Sequence, residues 1–248
     1  MSQEKEWLLR EKFGGEKSSA FFAACARLDA GEPLAYIIGN IPFLNCTIWL
    51  DSHPLIPRPE TELWTEKAIT VIERWSAAFG RAPRVLDLCA GSGCIGLAVA
   101  KAITHASVDF AEIDLSHFPT IEKNIEENGI DHRRCSLHHS DLFEKITETY
   151  DFILSNPPYI DETLGRTDHS VIAYEPSRAL FGGTDGMEVV SKMISEAPHH
   201  LERNGQLWLE HEPEQTERIH ELSIKNGFSV STHPDQYGIM RYSVLVLQ

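Results

Sequence analysis

The segment Asn156-Pro157-Pro158-Tyr159 carries the groups best suited to chemistry, and it follows a short apolar run, residues 152–154. An amide or aromatic amine nitrogen is a poor nucleophile because its lone pair is delocalised. The side-chain oxygen of Asn156 and the main-chain carbonyl of Pro157 could accept both of its hydrogens and stabilise the positive charge that develops on it. Proline has no competing N–H donor, and an aromatic ring offers a flat face to a planar group. We therefore predict group transfer onto a planar nitrogen, with Asn156, Pro157 and Tyr159 as the catalytic residues.

A glycine-rich turn provides a second candidate site. Residues 85–88 are typical of a buried strand, and Gly91 and Gly93 follow in the turn that leads into a helix. Glycine is needed where the backbone turns tightly or where a ligand approaches too closely for a Cβ. Asp114 ends the next predicted strand, where a carboxylate can accept hydrogen bonds from both ribose hydroxyls. These residues predict a nucleoside-binding crevice, although Gly91, Gly93 and Gly96 also match a dinucleotide fingerprint.

Asp87 separates the ligands that such a crevice could bind. A carboxylate that ends the first strand and faces the ligand would repel a pyrophosphate, but it would attract the ammonium and sulfonium groups of S-adenosylmethionine. We therefore expect S-adenosylmethionine as a methyl donor, with Asp87 and Asn156 among the residues that contact it. The alternative is that Asp87 only accepts backbone hydrogen bonds within the turn.

Strand-like and helix-like segments alternate beyond residue 83 and must position these groups. Alternation of this kind predicts an α/β fold with a parallel, doubly wound sheet and helices on both faces. The last two strands leave no room for a helix between them, so we expect the final strand to insert antiparallel. The predicted strands are residues 85–88, 107–113, 136–139, 152–155, 207–210, 228–232 and 242–247. The predicted helices are residues 94–103, 117–128, 187–201 and 213–225.

Two chain breakers divide the amino-terminal part. Gly31-Glu32-Pro33 ends an apolar helical segment, and the Ile-, Phe- and Trp-rich stretch after it, with the turn signal Gly39-Asn40, predicts a β-hairpin. Arg81-Ala82-Pro83 closes an amphipathic helix over residues 60–79. We expect three units: a short helical segment (1–35), a β-hairpin with a linker helix (36–80) and the main domain (81–248).

Composition and charge exclude several classes of function. The 248 residues are 42% hydrophobic and 24% charged, as in ordinary globular proteins. The chain has 22 Lys and Arg against 37 Asp and Glu, and the net charge of −15 disfavours direct binding to nucleic acid. Apolar stretches are too short for a bilayer span and no secretory signal is visible, so we expect a cytoplasmic protein without a membrane partner. The histidines lack the spacing of a metal site, and no metal is expected.

In combination, the motifs resemble those of the HemK-type release factor glutamine methyltransferases from about residue 31 onward. They are Gly31-Glu32-Pro33-Leu34-Ala35-Tyr36-Ile37-Ile38-Gly39, Leu55-Ile56-Pro57-Arg58-Pro59-Glu60-Thr61-Glu62, the Asp87 loop, Asn156 to Tyr159, and Tyr174-Glu175-Pro176 leading to Ala179-Leu180-Phe181-Gly182-Gly183. The resemblance implies a Rossmann-like class I methyltransferase sheet. It also implies transfer of a methyl group from S-adenosylmethionine to the side-chain amide nitrogen, N5, of the glutamine in the Gly-Gly-Gln motif of peptide chain release factors.

The resemblance further implies roles for particular residues. The cofactor would be lined by Cys89, Ala90, Gly91, Ser92, Gly93 and Asp114, with Leu142 beside the adenine. The glutamine would be received by Asn156, Pro157, Pro158 and Tyr159. Arg58, between two prolines, could aim its guanidinium at the substrate or pair with Glu175.

Three alternatives remain open. The same tetrapeptide could hold the exocyclic amine of a flipped adenine or guanine in DNA or RNA. However, a net charge of −15 leaves little positive charge for contacts with phosphates. A ribosomal-protein glutamine is a closer alternative, and Pro57-Arg58-Pro59-Glu60 favours the release factor over it. A non-catalytic binding module would have no need for Asp87, Asp114 and Asn156 together.

Overall fold

Nine strands form two sheets in the computed structural model, which describes the whole chain, Met1–Gln248. In chain order the strands are β1 (Asn40–Phe43), β2 (Cys46–Trp49), β3 (Arg84–Leu88), β4 (Ser107–Glu112), β5 (Cys135–His139), β6 (Tyr150–Ser155), β7 (Leu201–Glu210), β8 (Phe228–Pro234) and β9 (Met240–Leu247). Strands β1 and β2 form an antiparallel hairpin, and the other seven form one sheet in the order β5-β4-β3-β6-β7-β9-β8. Only β9 runs antiparallel to the other six strands of this sheet. The predicted doubly wound sheet with an antiparallel last strand is confirmed.

Ten α-helices surround the sheets. They are α1 (Gln3–Glu11), α2 (Ser19–Asp29), α3 (Leu34–Ile38), α4 (Pro59–Phe79), α5 (Cys94–Ala102), α6 (Phe118–Glu127), α7 (His169–Tyr174), α8 (Ser177–Leu180), α9 (Glu188–Glu196) and α10 (Thr216–Lys225). The hairpin and helices α4, α5 and α6 pack into one large apolar core, and α9 and α10 pack into a second one. No helix combines the length and the apolar character that crossing a bilayer requires.

The two central strands are buried on both faces because helices cover both sides of a parallel sheet. Every residue of β6 is buried, and so is every residue of β3 except Arg84. Successive side chains of a strand point to opposite faces, so Val85 packs into the first core and Leu86 into the second. Both strands end in the loops that the sequence marks as functional.

Two asparagine side chains of the α6 region fix the hairpin to the main sheet. The Asn124 side chain bonds to both main-chain groups of Trp49, at 2.7 Å from the N–H and 3.1 Å from the carbonyl. The Asn128 side chain does the same with Thr47, at 3.0 Å and 2.8 Å. These side-chain amides pair with main-chain N–H and C=O groups on the outer edge of β2, as a neighbouring strand would. They therefore hold the hairpin in a fixed position on α5 and α6.

The amino-terminal helices have a small apolar core of their own. Its buried members are Leu8, Phe21, Ala24, Cys25 and Ile37. Lys12 Nζ donates to the main-chain carbonyl of Ile37 at 2.6 Å, which ties α1 to α3. The predicted amino-terminal helical segment and β-hairpin are both present.

Three details differ from the sequence-based expectation. Gly39 does not begin the hairpin turn, because Tyr36–Ile38 belong to α3 and Gly39 is its left-handed cap. The turn lies at Leu44-Asn45, between β1 and β2. The helix predicted to continue to Leu201 ends at Glu196, because β7 already begins at Leu201. Helices α1, α7 and α8 were not predicted, since short helices of three turns or fewer leave little periodic signal.

Candidate active site

The two predicted functional loops lie side by side at one edge of the sheet. Strand β3 pairs in parallel with β4 on one side and with β6 on the other, so the chain reverses its direction of winding at β3. A crevice opens at the carboxyl ends of the strands at such a switch point. The glycine loop that follows β3 and Asn156, which follows β6, are therefore neighbours.

A cavity of about 400 Å³ lies along the glycine loop. The predicted cofactor residues in its wall are Cys89, Ala90, Gly91, Ser92, Asp114, Leu142 and Asn156. The volume is within the range of small-molecule sites, and the wall combines apolar side chains with a few polar groups, as such sites do. Gly93, at φ +78°, is not in the wall, because its position faces Ile121, Leu97 and Phe110. The geometry suits a nucleoside-containing ligand such as S-adenosylmethionine.

Asp87 does not face this cavity, so that part of the prediction is wrong. The side chain is fully buried, and its Oδ2 accepts the N–H of Gly96 at 2.8 Å while Oδ1 has no hydrogen-bond partner. Burial raises the pKa of Asp87 to about 8, and the neighbouring Glu112 adds to the rise. The carboxyl group supports the turn from behind, as the alternative interpretation proposed.

Glu112 is a carboxylate in the cavity wall that was not predicted from the sequence. Its Oε2 accepts the N–H of Gly91 at 2.8 Å, and its Oε1 accepts the N–H of Asp114 at 2.9 Å. Glu112 thus joins the glycine loop of β3 to the loop that follows β4. The sequence feature that could have identified Glu112 is its position as an acidic residue at the carboxyl end of a buried strand.

Asp114 also lies where the prediction placed it. Its Oδ1 accepts the N–H of Ser116 at 2.9 Å, and hydrogen bonding by Ser116 lowers the pKa of Asp114. The group therefore remains an ionised acceptor in the cavity wall at neutral pH.

A second and larger cavity, of about 1000 Å³, begins where the first one ends. The predicted residues Arg58, Asn156, Pro157 and Tyr159 line it, whereas Pro158 faces the first cavity instead. Asn156 belongs to both walls, together with Leu55, Ala179 and Glu188. A molecule in one cavity therefore meets a molecule in the other beside the carboxamide of Asn156.

The backbone of the tetrapeptide loop is clamped from outside. Gly182 donates to the carbonyl of Ile160 at 3.0 Å, and a Cβ on Gly182 would lie 2.6 Å from the carbonyl oxygen of Pro158. Gly186 leaves even less room, since a Cβ there would collide with the carbonyl oxygen of Tyr159. Gln215 Nε2 donates to that same oxygen at 2.8 Å. These glycines are required because another backbone approaches closely.

Glu210, at the end of β7, contacts the tetrapeptide on the side that faces the protein interior. This buried carboxylate accepts hydrogen bonds from Thr61 Oγ1 at 2.7 Å, Trp64 Nε1 at 2.6 Å and Tyr159 Oη at 2.9 Å. Burial raises the pKa of Glu210, and the three donors act against that rise. Burial and Glu210 also hold the pKa of Tyr159 well above its usual range, so the phenol remains a donor. None of Glu210, Thr61 and Trp64 was predicted from the sequence to hold the tetrapeptide.

Arg58 pairs with Glu175, and its side chain also reaches the wall of the second cavity. Its Nη2 lies 2.6 Å from Glu175 Oε1, and the side chain lines the second cavity. Glu175 is buried and its Oε2 also accepts the N–H of Ile56 at 3.0 Å. The pair therefore fastens the segment before α4 to the segment after α7, on either side of the cavity.

Comparisons with known proteins agree with this arrangement. A family model described as the methyltransferase small domain matches residues 71–175. The release factor glutamine methyltransferase of Lactococcus lactis is 34% identical over 236 residues, which cover 93% of this chain and 83% of that one. The enzyme of the same name from Bordetella pertussis is 32% identical over 250 residues, covering 98% and 89%. A solved methyltransferase structure from Pyrococcus furiosus, 21% identical, shares the fold with a TM-score of 0.59 and covers 90% of this chain and 97% of that one.

Proposed function

The chain belongs to the release factor glutamine methyltransferases, and we propose that it methylates N5 of the glutamine in the Gly-Gly-Gln motif of a peptide chain release factor. S-adenosylmethionine is the donor, and it supplies an electrophilic methyl group on a positively charged sulfur. We further infer that the enzyme acts in the cytoplasm, where translation is terminated.

The observation that carries this proposal is the position of Asn156 in the walls of both cavities. Of the four residues shared by the two walls, Asn156 is the one that carries an amide, so a donor along the glycine loop and an amide in the second cavity would meet beside its side chain. Holding two reactants in line at one point removes much of the entropic cost of the reaction.

The residues of the tetrapeptide supply the catalytic interactions in this proposal. Asn156 Oδ1 and the carbonyl of Pro157 each accept one hydrogen of the glutamine amide, and the ring of Tyr159 packs on its plane. Both acceptors bind the nitrogen more strongly as it gains positive charge. They therefore stabilise the transition state more than the bound substrate, and this lowers the barrier to methyl transfer. As the new C–N bond forms, the bond between the methyl carbon and sulfur breaks, and S-adenosylhomocysteine leaves as a neutral thioether. The methylated nitrogen then loses one proton to solvent, so no residue has to remove a proton beforehand.

The glycine loop and its surroundings hold the donor in this proposal. Asp114 accepts from the ribose hydroxyls, which its lowered pKa favours. Leu142 packs beside the adenine, and the backbone of residues 89–92 approaches the methionine part. The carboxylate of Glu112, rather than that of Asp87, supplies a negative charge to the wall of this cavity, beside Gly91.

Methyl-labelled cofactor tests the proposed substrate. The purified protein is incubated with a release factor, the same factor with Gln→Ala in its Gly-Gly-Gln motif, a ribosomal-protein mixture, DNA and RNA. We expect label on the intact release factor only, and mass spectrometry should locate it on the motif glutamine. Label confined to nucleic acid or to a ribosomal protein would refute the proposed substrate.

A further inference from the structure

The carboxamide of Asn156 can present either its oxygen or its nitrogen to a substrate, and the two orientations have opposite consequences. An outward oxygen accepts N–H hydrogens, whereas an outward nitrogen donates to a carbonyl or a carboxylate. The shape of an amide hardly distinguishes the two orientations. The partner on its inner side must therefore decide between them.

That partner is the hydroxyl of Thr61, 3.1 Å from Asn156 Nδ2. A hydroxyl has one hydrogen to give, and Thr61 Oγ1 lies 2.7 Å from Oε2 of Glu210, which in its ionised form can only accept. The hydrogen of Thr61 is thus committed to Glu210, and its lone pair faces Asn156. Only the Nδ2 end of Asn156 can bond to it, so Oδ1 points away from Thr61.

The buried surroundings of Thr61 and Glu210 keep Thr61 as the donor in the hydrogen bond between them. Thr61 and Glu210 are each 1% exposed, so the hydrogen bond between them is shielded from bulk solvent, although Thr61 also borders the first cavity. Glu210 also accepts from Trp64 and Tyr159, so all of its partners are donors and favour the ionised carboxylate. The three linked residues come from α4, β7 and the loop after β6.

We propose that Thr61 and Glu210 form a positioning relay that fixes the carboxamide of Asn156 with its oxygen towards the substrate. The proposal rests on the proposed function and adds a basis for its selectivity. An outward oxygen receives the NH₂ end of a glutamine side chain and turns that nitrogen, not the carbonyl oxygen, towards the donor. It also repels a glutamate carboxylate of the same shape, because two acceptors then face each other.

Variants of one helix test the relay. Thr61→Val keeps the shape of the side chain but removes the hydroxyl, so Asn156 is free to turn over. We expect kcat to fall at least tenfold while the affinity for S-adenosylmethionine changes less than twofold. Thr61→Ser, which keeps the hydroxyl, should retain kcat within about threefold.

A competition assay separates positioning from a general structural defect. A release factor that carries Gly-Gly-Glu cannot be methylated at nitrogen and is used as an inhibitor. Thr61→Val should bind it several-fold more tightly than the wild type does, because a reversed Asn156 donates to the carboxylate.

Thr65→Val is the matched control, since Thr65 is buried in the same helix and bonds only to the main-chain oxygen of Thr61. It should change neither kcat nor the inhibition. Equal kcat in Thr61→Val and Thr61→Ser, or unchanged inhibition in Thr61→Val, would overturn the proposal.

Hydrogen exchange at the Asn156 side chain tests the relay without a substrate, and therefore independently of the proposed function. The side-chain NH₂ hydrogens of Asn156 should exchange slowly with solvent in the wild type and Thr61→Ser, and quickly in Thr61→Val, as followed by NMR. If the wild type failed to methylate any release factor, the proposed function would be wrong, and this exchange measurement would still decide on the relay. Equal exchange in all three proteins would refute it.

Discussion

Two largely buried carboxylates give the site its shape at the level of single residues. Glu112 joins two loops through their N–H groups, and Glu210 gathers three side-chain donors. Each is buried, and each is compensated by several hydrogen bonds, which is how a protein tolerates a charge away from water. We infer that the enzyme relies on these acids for geometry, while Asn156 and main-chain carbonyls contact the reacting nitrogen.

Some of these residues were visible in the sequence and others were not. Asn156 and the glycines stand next to buried strands in a recognisable local pattern, and such patterns survive in a single sequence. Glu210 and Thr61 are 149 positions apart, and nothing near either one indicates the other. Asp87 was misjudged for a related reason, since the sequence shows the end of a strand but not the direction in which its last side chains point.

His211 allows a prediction about stability and pH. The ring is fully buried, with Nδ1 2.8 Å from the carbonyl of Glu212 and Nε2 2.8 Å from Ser243 Oγ. Burial lowers the pKa of His211 to about 4, whereas the unfolded residue titrates near 6.5. Between these values the unfolded chain binds the proton and the folded chain does not. His211 should therefore remove about 2 to 3 kcal/mol of stability as the pH falls from 7 to 4.5.

Urea unfolding of the wild type and of His211→Gln at pH 7 and pH 4.5 measures that loss. Other titrating groups, including Asp87 with its raised pKa, are common to both proteins and cancel in the comparison. The wild type should lose more free energy of unfolding on acidification than the variant. Parallel losses in the two proteins would show that His211 does not titrate in this way.

At the level of elements, the cofactor crevice depends on the close packing of α5 against the sheet. A Cβ on Gly96 of α5 would lie 2.9 Å from Asp87 Cβ in β3 and 2.5 Å from the Phe110 ring in β4. The absence of a side chain lets the helix approach closely enough for the Gly96 N–H to reach Asp87. This position is the third glycine of the sequence pattern, whose role is packing and not ligand contact.

Gly96→Ala tests this packing through the sign of its effect. Helix propensity alone predicts that alanine stabilises the protein by about 1 kcal/mol relative to glycine in a helix interior. Overpacking against Phe110 predicts a destabilisation of about 1 to 3 kcal/mol. We expect the destabilisation, measured as the free energy of unfolding in urea. A variant that is more stable than the wild type would mean that α5 is not packed as tightly as described.

The hairpin shows what sequence patterns miss at this scale. A hairpin in this part of the chain was predictable, but the turn signal Gly39-Asn40 lies before its first strand, and the turn itself is Leu44-Asn45. Leu44 adopts a φ of +49°, which a leucine rarely does and which no turn propensity suggests. Packing of the hairpin on α6 through Asn124 and Asn128 determines the register, and that contact joins parts of the chain more than 70 positions apart.

For the molecule as a whole, we propose that residues 1–35 form a unit that contributes to docking of the release factor, residues 36–80 connect it to the sheet, and residues 81–248 perform the transfer. The amino-terminal helices have their own core and lie beside the second cavity, since Tyr174 Oη in α7 donates to the carbonyl of Ala30 at 3.2 Å. Val171 of the same helix lines that cavity. A protein substrate that enters the cavity would therefore pass close to α2.

Phe22→Ser tests this arrangement. The ring of Phe22 in α2 is 59% exposed, and exposed aromatic side chains are typical anchors in protein interfaces. We expect KM for the intact release factor to rise several-fold, with kcat unchanged and KM for a short Gly-Gly-Gln peptide unchanged. Phe79→Ser is the control, because Phe79 is as exposed but ends α4 at the opposite edge of the sheet, near the start of β3. Equal effects of the two variants on KM would contradict the proposed docking role.

The single-turnover rate of methyl transfer by Asn156→Ala, at saturating S-adenosylmethionine and release factor, measures the contribution of Asn156 to the reaction. This rate should be about 100-fold to 1000-fold below that of the wild type, because an acceptor that stabilises the transition state is lost. The variant should still bind S-adenosylmethionine with nearly the parental affinity by calorimetry. A rate close to that of the wild type, or a loss that vanishes when the cofactor concentration is raised, would contradict the claim that transfer takes place at Asn156.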